Sequence, residues 1–151
     1  MKAILFIAFI SILFVGCSKK NNPSPNTNPA SISGKWYVIS DSTWEYQNGI
    51  LQGINTANYS RTNYYQFNND GSGLVFNFGL QSSTDFNYVI ADKTLTLNYP
   101  AQIVKGISLS SNTENYLIKL FTTNNLTITY SDTGIINGIN YANNEILYLD
   151  R

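Results

Sequence analysis

Few side chains in this 151-residue sequence are equipped for chemistry. There is no histidine, so the commonest general base and metal ligand is missing. One cysteine is present, Cys17, close to the start. Asp41 and Glu45 stand four residues apart, a spacing that puts both on one face of a strand. Such a pair is the minimum for carboxylate-based hydrolysis, but it is far more often a solvated strand face. Aspartate-rich calcium loops are absent. The sequence therefore assigns no catalytic residue, no metal ligand and no cofactor, and it reads as a binding or interaction protein, not an enzyme.

The context of Cys17 gives it a different chemistry. MKAILFIAFISILFVGC has a positive start at Lys2 and an apolar run from Ala3 to Val15. That run is too short for a membrane span, which needs about 20 residues, and suits a signal peptide. LFVGC resembles the bacterial lipobox, with Val15, Gly16 and Cys17 in the matching positions and Phe14 where leucine is usual. The resemblance implies cleavage before Cys17 and a lipid on its sulfur, with palmitate-type acyl chains in the membrane. A lipid-bearing thiol is neither nucleophile nor disulfide partner. An ordinary signal peptide with an incidental cysteine is the alternative. SKKNNPSPNTNPA, Ser18 to Ala30, has almost no apolar side chains and several prolines, the composition of a solvated tether. Ser18 is not the aspartate of an inner-membrane retention signal, and Lys19 and Lys20 lack the acidic cluster of a surface-export signal. The resemblance thus implies a lipid anchor in the outer membrane facing the periplasm, with the cell surface as the alternative. Residues 1–16 read as the lipoprotein signal peptide, 17–30 as lipidated cysteine and tether, and 31–151 as one folded domain.

That domain must be large enough to bury a core without disulfides, and its length suffices. From Ser31 onward it carries six basic against nine acidic side chains, a net of −3. A mildly acidic body without a basic stripe argues against a nucleic-acid partner. Asparagine, threonine, serine and tyrosine supply most of the polarity, which favours strands with short polar turns. Alternation of period two recurs along the chain. Leu74, Phe76, Phe78 and Leu80 share one parity, as do Phe86, Tyr88 and Ile90; Leu95, Leu97 and Tyr99; Tyr116, Ile118 and Leu120; and Leu126, Ile128 and Tyr130. Turns are expected at Asn68 to Gly73, Ala91 to Lys93 and Thr123 to Asn125. With a first strand at 34–45, one near 62–68 and a last at 145–151, about eight antiparallel strands result. Eight suit a small up-and-down β-barrel, and a sandwich is the alternative. The segments 46–61, 100–115 and 131–144 fit poorly and read as long loops or irregular strands.

Against these strands, Gly34-Lys35-Trp36 resembles the G-x-W signature that opens the first strand of lipocalins and other calycins. YQFNNDGSGLVF (Tyr65 to Phe76), FNYVIADKTLTL (Phe86 to Leu97) and YLIKLFTTNNLTI (Tyr116 to Ile128) are similar to the hairpins of the lipocalin-like domain found in bacterial lipoproteins. The resemblance covers most of residues 31–151. It implies that Gly34 and Trp36 close the base of a barrel and that a basic residue after the last strand packs across the indole. Arg151 is that residue, and such a cation–π contact stabilises by about 0.5–2 kcal/mol. Thr84-Asp85-Phe86 echoes a further family signature but falls too early in the strand order. Asp41-Ser42-Thr43 resembles a bacterial O-glycosylation tripeptide, for which a polar strand face is the default.

Lipocalins mostly hold small apolar ligands, so the resemblance implies a ligand-binding protein of the envelope. Trp36, Tyr65, Phe67, Phe76, Phe78, Phe86, Tyr88, Tyr99, Tyr116, Tyr130 and Tyr148 are expected to point inward. That many bulky rings favour a filled interior over a large cavity. Trp44, Tyr46, Tyr59 and Tyr64 flank the long segment after the first strand and are the candidates for the barrel mouth. The other function class is an interaction module: a filled barrel that docks a protein or glycan through loops and outward tyrosines.

Overall fold

A computed structural model describes residues 31–151; the signal-peptide-like run, Cys17 and the tether lie outside the described residues. The described chain is all antiparallel β: β1 (Gly34–Gln47), β2 (Ile50–Asn58), β3 (Tyr64–Phe67), β4 (Ser72–Asn77), β5 (Ser82–Ala91), β6 (Thr94–Tyr99), β7 (Gln102–Val104), β8 (Ile107–Leu109), β9 (Asn112–Phe121), β10 (Asn125–Ile136) and β11 (Ile139–Asp150). The sheet runs β11-β10-β9-β6-β5-β4-β3-β1-β2, and a further ladder between β11 and β1 closes it. Eight strands form the expected barrel, which rules out the sandwich. β2 is attached outside the ring, and β7 and β8 form a separate hairpin.

The ring is complete only near the start of β1. There Gly34–Tyr37 pair with Phe67–Tyr64 of β3, and Phe121–Leu117 of β9 pair with Leu126–Thr129 of β10. Farther on, β1 exchanges β3 for β2, pairing Ser40–Gln47 with Asn58–Ile50. β9 stays with β6 while β10 stays with β11. The barrel therefore splits at this end into a four-stranded ribbon, β2-β1-β11-β10, and a facing wall. The segments around 46–61 and 131–144, expected as long loops or irregular strands, are the two hairpins of that ribbon, and 100–115 holds β7, β8 and the start of β9. Asn48-Gly49 and Asn137-Gly138 turn the ribbon hairpins with φ of 50° and 78°, and 52° and 79°. Those angles define the two-residue turn whose twist matches paired strands, and Asn-Gly is its preferred sequence.

The core sits in the closed half. Trp36, Phe67, Phe86, Leu95, Leu97, Leu126 and Ile128 are fully buried there, with Ile32, Val38, Tyr116, Leu147 and Leu149 around them. Three expected inward rings point out instead. Phe78 lies beyond the end of β4 and Tyr148 alternates with the buried Leu147 and Leu149; they are 52% and 43% exposed. Phe76 stacks on Tyr64 with ring centres 5.2 Å apart, outside the ladder of inward residues. The reason is Gly73. It faces inward beneath the Phe86 ring, and this sets Val75 inward and Leu74 and Phe76 outward. Alternation alone gives two faces without saying which is inside.

Candidate functional site

One end of the barrel is sealed. The Trp36 indole is completely buried and donates from Nε1 to the Ile32 carbonyl at 2.6 Å. The Arg151 guanidinium lies 4.2 Å from the ring centre and donates to the carbonyls of Ser31 and Ser33 at 2.6 and 2.7 Å. Gly34 sits against the same guanidinium with φ of 125°, a conformation that side-chain-bearing residues rarely adopt. Gly34, Trp36 and Arg151 are thus brought together. Ile32, which the sequence does not single out, completes the floor by burying its side chain under it.

The opposite end is open and lined by phenols and carboxylates. A recess of about 180 Å³ lies between ribbon and wall, bordered by Val38, Asp41, Tyr59, Tyr65, Tyr116 and Glu145. A second cleft of about 350 Å³ adjoins it beneath β7–β8, bordered by Val75, Thr84, Tyr99, Gln102, Leu109 and Glu114. Asp41 accepts from the Tyr59 hydroxyl at 3.0 Å and from the Ala57 amide at 3.2 Å. Glu114 accepts from the Tyr116 hydroxyl at 2.9 Å. Tyr116 and Tyr130 bring their ring centres to 5.5 Å, and Tyr99 stands edge-on to Phe86 at 5.7 Å. Among the described residues, no group of three or more His, Cys, Asp or Glu is arranged to hold a metal ion.

Burial, reinforced by the Glu114 charge, pushes the Tyr65, Tyr99 and Tyr116 hydroxyls well above the usual phenol range. They remain neutral hydrogen-bonding groups at any physiological pH. Burial, and then the Asp41 and Glu114 charges, raise Glu145 above the ordinary carboxylate range. A carboxyl with a raised folded pKa takes up protons on folding. Its contribution therefore falls as pH climbs from the unfolded value, about 4.3, through the folded one. Glu145→Gln should raise the melting temperature at pH 7, and the advantage should vanish below about pH 4. Melting curves of both proteins across pH check this; an advantage that persists unchanged at acid pH would refute it.

The second cleft depends on how β7–β8 is held. Among the described residues, the edge of β5 at Asp85 has no strand beside it on this side, because β6 pairs only with Asn87–Ala91. The Gln102 carboxamide fills the gap: its oxygen accepts from the Asp85 amide and its nitrogen donates to the Asp85 carbonyl, both at 3.1 Å. A side chain here imitates one rung of a ladder. Gln102→Ala should speed exchange of the Asp85 amide by about 10-fold or more, with the barrel's melting temperature nearly unchanged. Unaltered exchange would mean that the hairpin is fastened elsewhere.

Of the four mouth candidates, only Tyr59 stands at the open end. Tyr64 lies on the outer wall between Phe76 and Lys35, whose ammonium is 4.0 Å from its ring centre. Trp44 pairs with Asn144, which puts it on the face opposite Thr43 and Glu145; it and Tyr46 border a shallow cleft on the outside of the ribbon. A register shift between Val38 and Ser40 inverts the parity of β1, so Asp41 and Thr43 face in while Trp44 does not. Asp41 accordingly meets Tyr59 and the field of Glu145, while Glu45 is exposed, as a solvated strand carboxylate is expected to be. Ser42 bonds Thr56 across the β1–β2 ladder at 3.0 Å, the ordinary polar strand face. Glu114 and Glu145 border the open-end recesses and were not among the residues that the sequence singled out. Their signal was present: Glu114 shares parity with Tyr116 and Ile118, and Glu145 with Leu147 and Leu149.

Comparison of the chain with protein-family models, with curated proteins and with solved structures finds no match.

Proposed function

We propose that this chain is a lipid-anchored, lipocalin-like binding protein of the bacterial envelope, holding a small ligand with an apolar body at the open end of its barrel. The observation that carries the reading is the contrast between the two ends. A packed floor of Gly34, Trp36 and Arg151 stands opposite recesses lined by neutral phenols. The fully buried side chains of the lower half leave no room for a long acyl chain along the barrel axis. The ligand is therefore short, lying across Val75, Tyr99 and Leu109 and giving hydrogen bonds to Glu114. About 350 Å³ is at the small end of ligand pockets. The groups around it bind and orient, so no catalytic step is assigned. The outer-membrane address rests on the resemblance of Val15-Gly16-Cys17 to the lipobox. Docking of an envelope protein or glycan is the second reading, favoured by Ile103 and Ile107, which stand 74% and 65% exposed on the β7–β8 hairpin.

Native mass spectrometry of the full chain, purified in mild detergent from its own host, tests the proposal. The expected mass begins at Cys17, carries a covalent lipid, and includes a small molecule that dissociates on activation. Tyr99→Ala should lower its occupancy. A chain without lipid at Cys17 would overturn the anchor. Repeated preparations free of any small molecule would overturn the ligand and leave the docking reading.

A further inference from the structure

We propose that the outer edge of β2 pairs with the same edge of a second copy of this chain, making a two-fold dimer through one continuous sheet. Among the described residues, β2 terminates the sheet order, with β1 on one side and no strand on the other. The amides of Ala57 and Tyr59 point toward β1: Ala57 donates to Asp41 Oδ1 at 3.2 Å and Tyr59 to the Ile39 carbonyl at 2.8 Å. Backbone groups alternate along an antiparallel strand, so the N–H and C=O of Ile54, Thr56 and Asn58 point away from β1. These are free ladder positions.

Sheet edges are normally blocked by lysine, proline or an inward charge. From Tyr46 to Ser60 this chain has no charged residue and no proline. The described domain carries a net charge of −3, so an uncharged strand is where two copies can meet without opposing like charges. The free edge of β10 is a poorer candidate, since Asp132 lies on it and Gly134 weakens it. A register shift between Glu45 and Tyr46 leaves Gln52 as a bulge in β2, which limits clean pairing to the stretch beyond it. Within that stretch the outward positions are symmetric about Thr56. A two-fold axis there sets Thr56 opposite Thr56 and Ile54 opposite Asn58, satisfying all three outward residues of each copy. An antiparallel edge is complementary to itself under such an axis, which favours a second copy over an unrelated strand. Ile54, 60% exposed in the single chain, gains cover from its neighbour. The pairing is short, so the dimer is a weak one that a shared surface would enrich.

Hydrogen exchange on the purified full chain in detergent reads this directly. On raising the protein from about 1 to about 100 µM, the Ile54, Thr56 and Asn58 amides should slow by about 10-fold or more. The Ala57 amide, already turned to β1, should not change. Thr56→Lys should abolish the concentration dependence, whereas Ile103→Lys, at an exposed aliphatic site elsewhere, should preserve it. Circular dichroism confirms that both variants fold. Concentration-independent exchange at the three amides would overturn the proposal, as would a dimer that survives Thr56→Lys. Slowing that needs a cell lysate would assign the edge to another protein, and would overturn it too.

Discussion

Trp36→Ala should lower the melting temperature by more than about 10 °C, the largest loss expected from any single truncation in the domain. Three losses coincide. The indole is wholly buried, and removing such a side chain costs about 3–5 kcal/mol in transfer and cavity terms. The Ile32 carbonyl loses the Nε1 donor at 2.6 Å, and Ile32 is itself part of the floor. The Arg151 guanidinium loses the ring 4.2 Å away, although Ser31 and Ser33 still hold it. Against a total stability of about 5–15 kcal/mol, this leaves a protein near its unfolding threshold. The contact with Phe121, whose ring centre is 6.0 Å from the indole, carries the damage toward the end of β9. Urea denaturation followed by tyrosine fluorescence measures the loss. A midpoint within experimental scatter of the unaltered chain would rule out the indole as the keystone of the floor.

Gly73→Ala should be nearly as damaging, by overfilling instead of emptying. A methyl group at Gly73 would stand 2.5 Å from the Gln66 carbonyl oxygen and closer still to the Phe86 ring. Gln66 is backbone in the adjoining ladder, and Phe86 is fully buried among other rings, so neither has room to yield. Overpacking of this kind costs about 1–3 kcal/mol and sometimes more, and the rigid backbone oxygen places this case at the upper end. Phe86→Leu should cost less in the Gly73→Ala background than in the natural chain, because it removes one of the two clashes. A double-mutant cycle gives that coupling directly. Additive effects would show that the ring and the methyl group never meet.

Gly73 also marks what the sequence concealed. Strand content was legible throughout, since side chains alternate with period two wherever a sheet has one buried face. Leu95/Leu97, Leu126/Ile128 and Leu147/Leu149 follow that rule and lie inside. In β4 the rule misleads. The apolar residues Leu74 and Phe76 point out, and a glycine points in because the Phe86 ring needs its space. No local pattern carries that information, since Phe86 comes from the next strand. The ribbon hairpins are a different case. The sequence left 46–61 and 131–144 as long loops or irregular strands, and the turn signals Asn48-Gly49 and Asn137-Gly138 favour the strands that the structure has.

The candidate site divides along the same line. The sequence alone determined an all-β fold of about eight strands, suited to a barrel or a sandwich, and a stock of tyrosines without histidine, which follow from residue types and short spacings. The floor of Gly34, Trp36 and Arg151 was implied by the resemblance of Gly34-Lys35-Trp36 to a family signature, and the structure closes the strands into a barrel. Only the tertiary structure decided that the ring opens into a ribbon and a wall, and that Tyr59, Tyr65, Tyr99 and Tyr116 gather between them with Asp41, Glu114 and Glu145. It also decided that Trp44, Tyr46 and Tyr64 lie outside that gathering. The physical reason is that a single shifted residue in a strand exchanges every later side chain between its two faces. The shift between Val38 and Ser40 is fixed by pairing with β11, more than a hundred residues away in the chain.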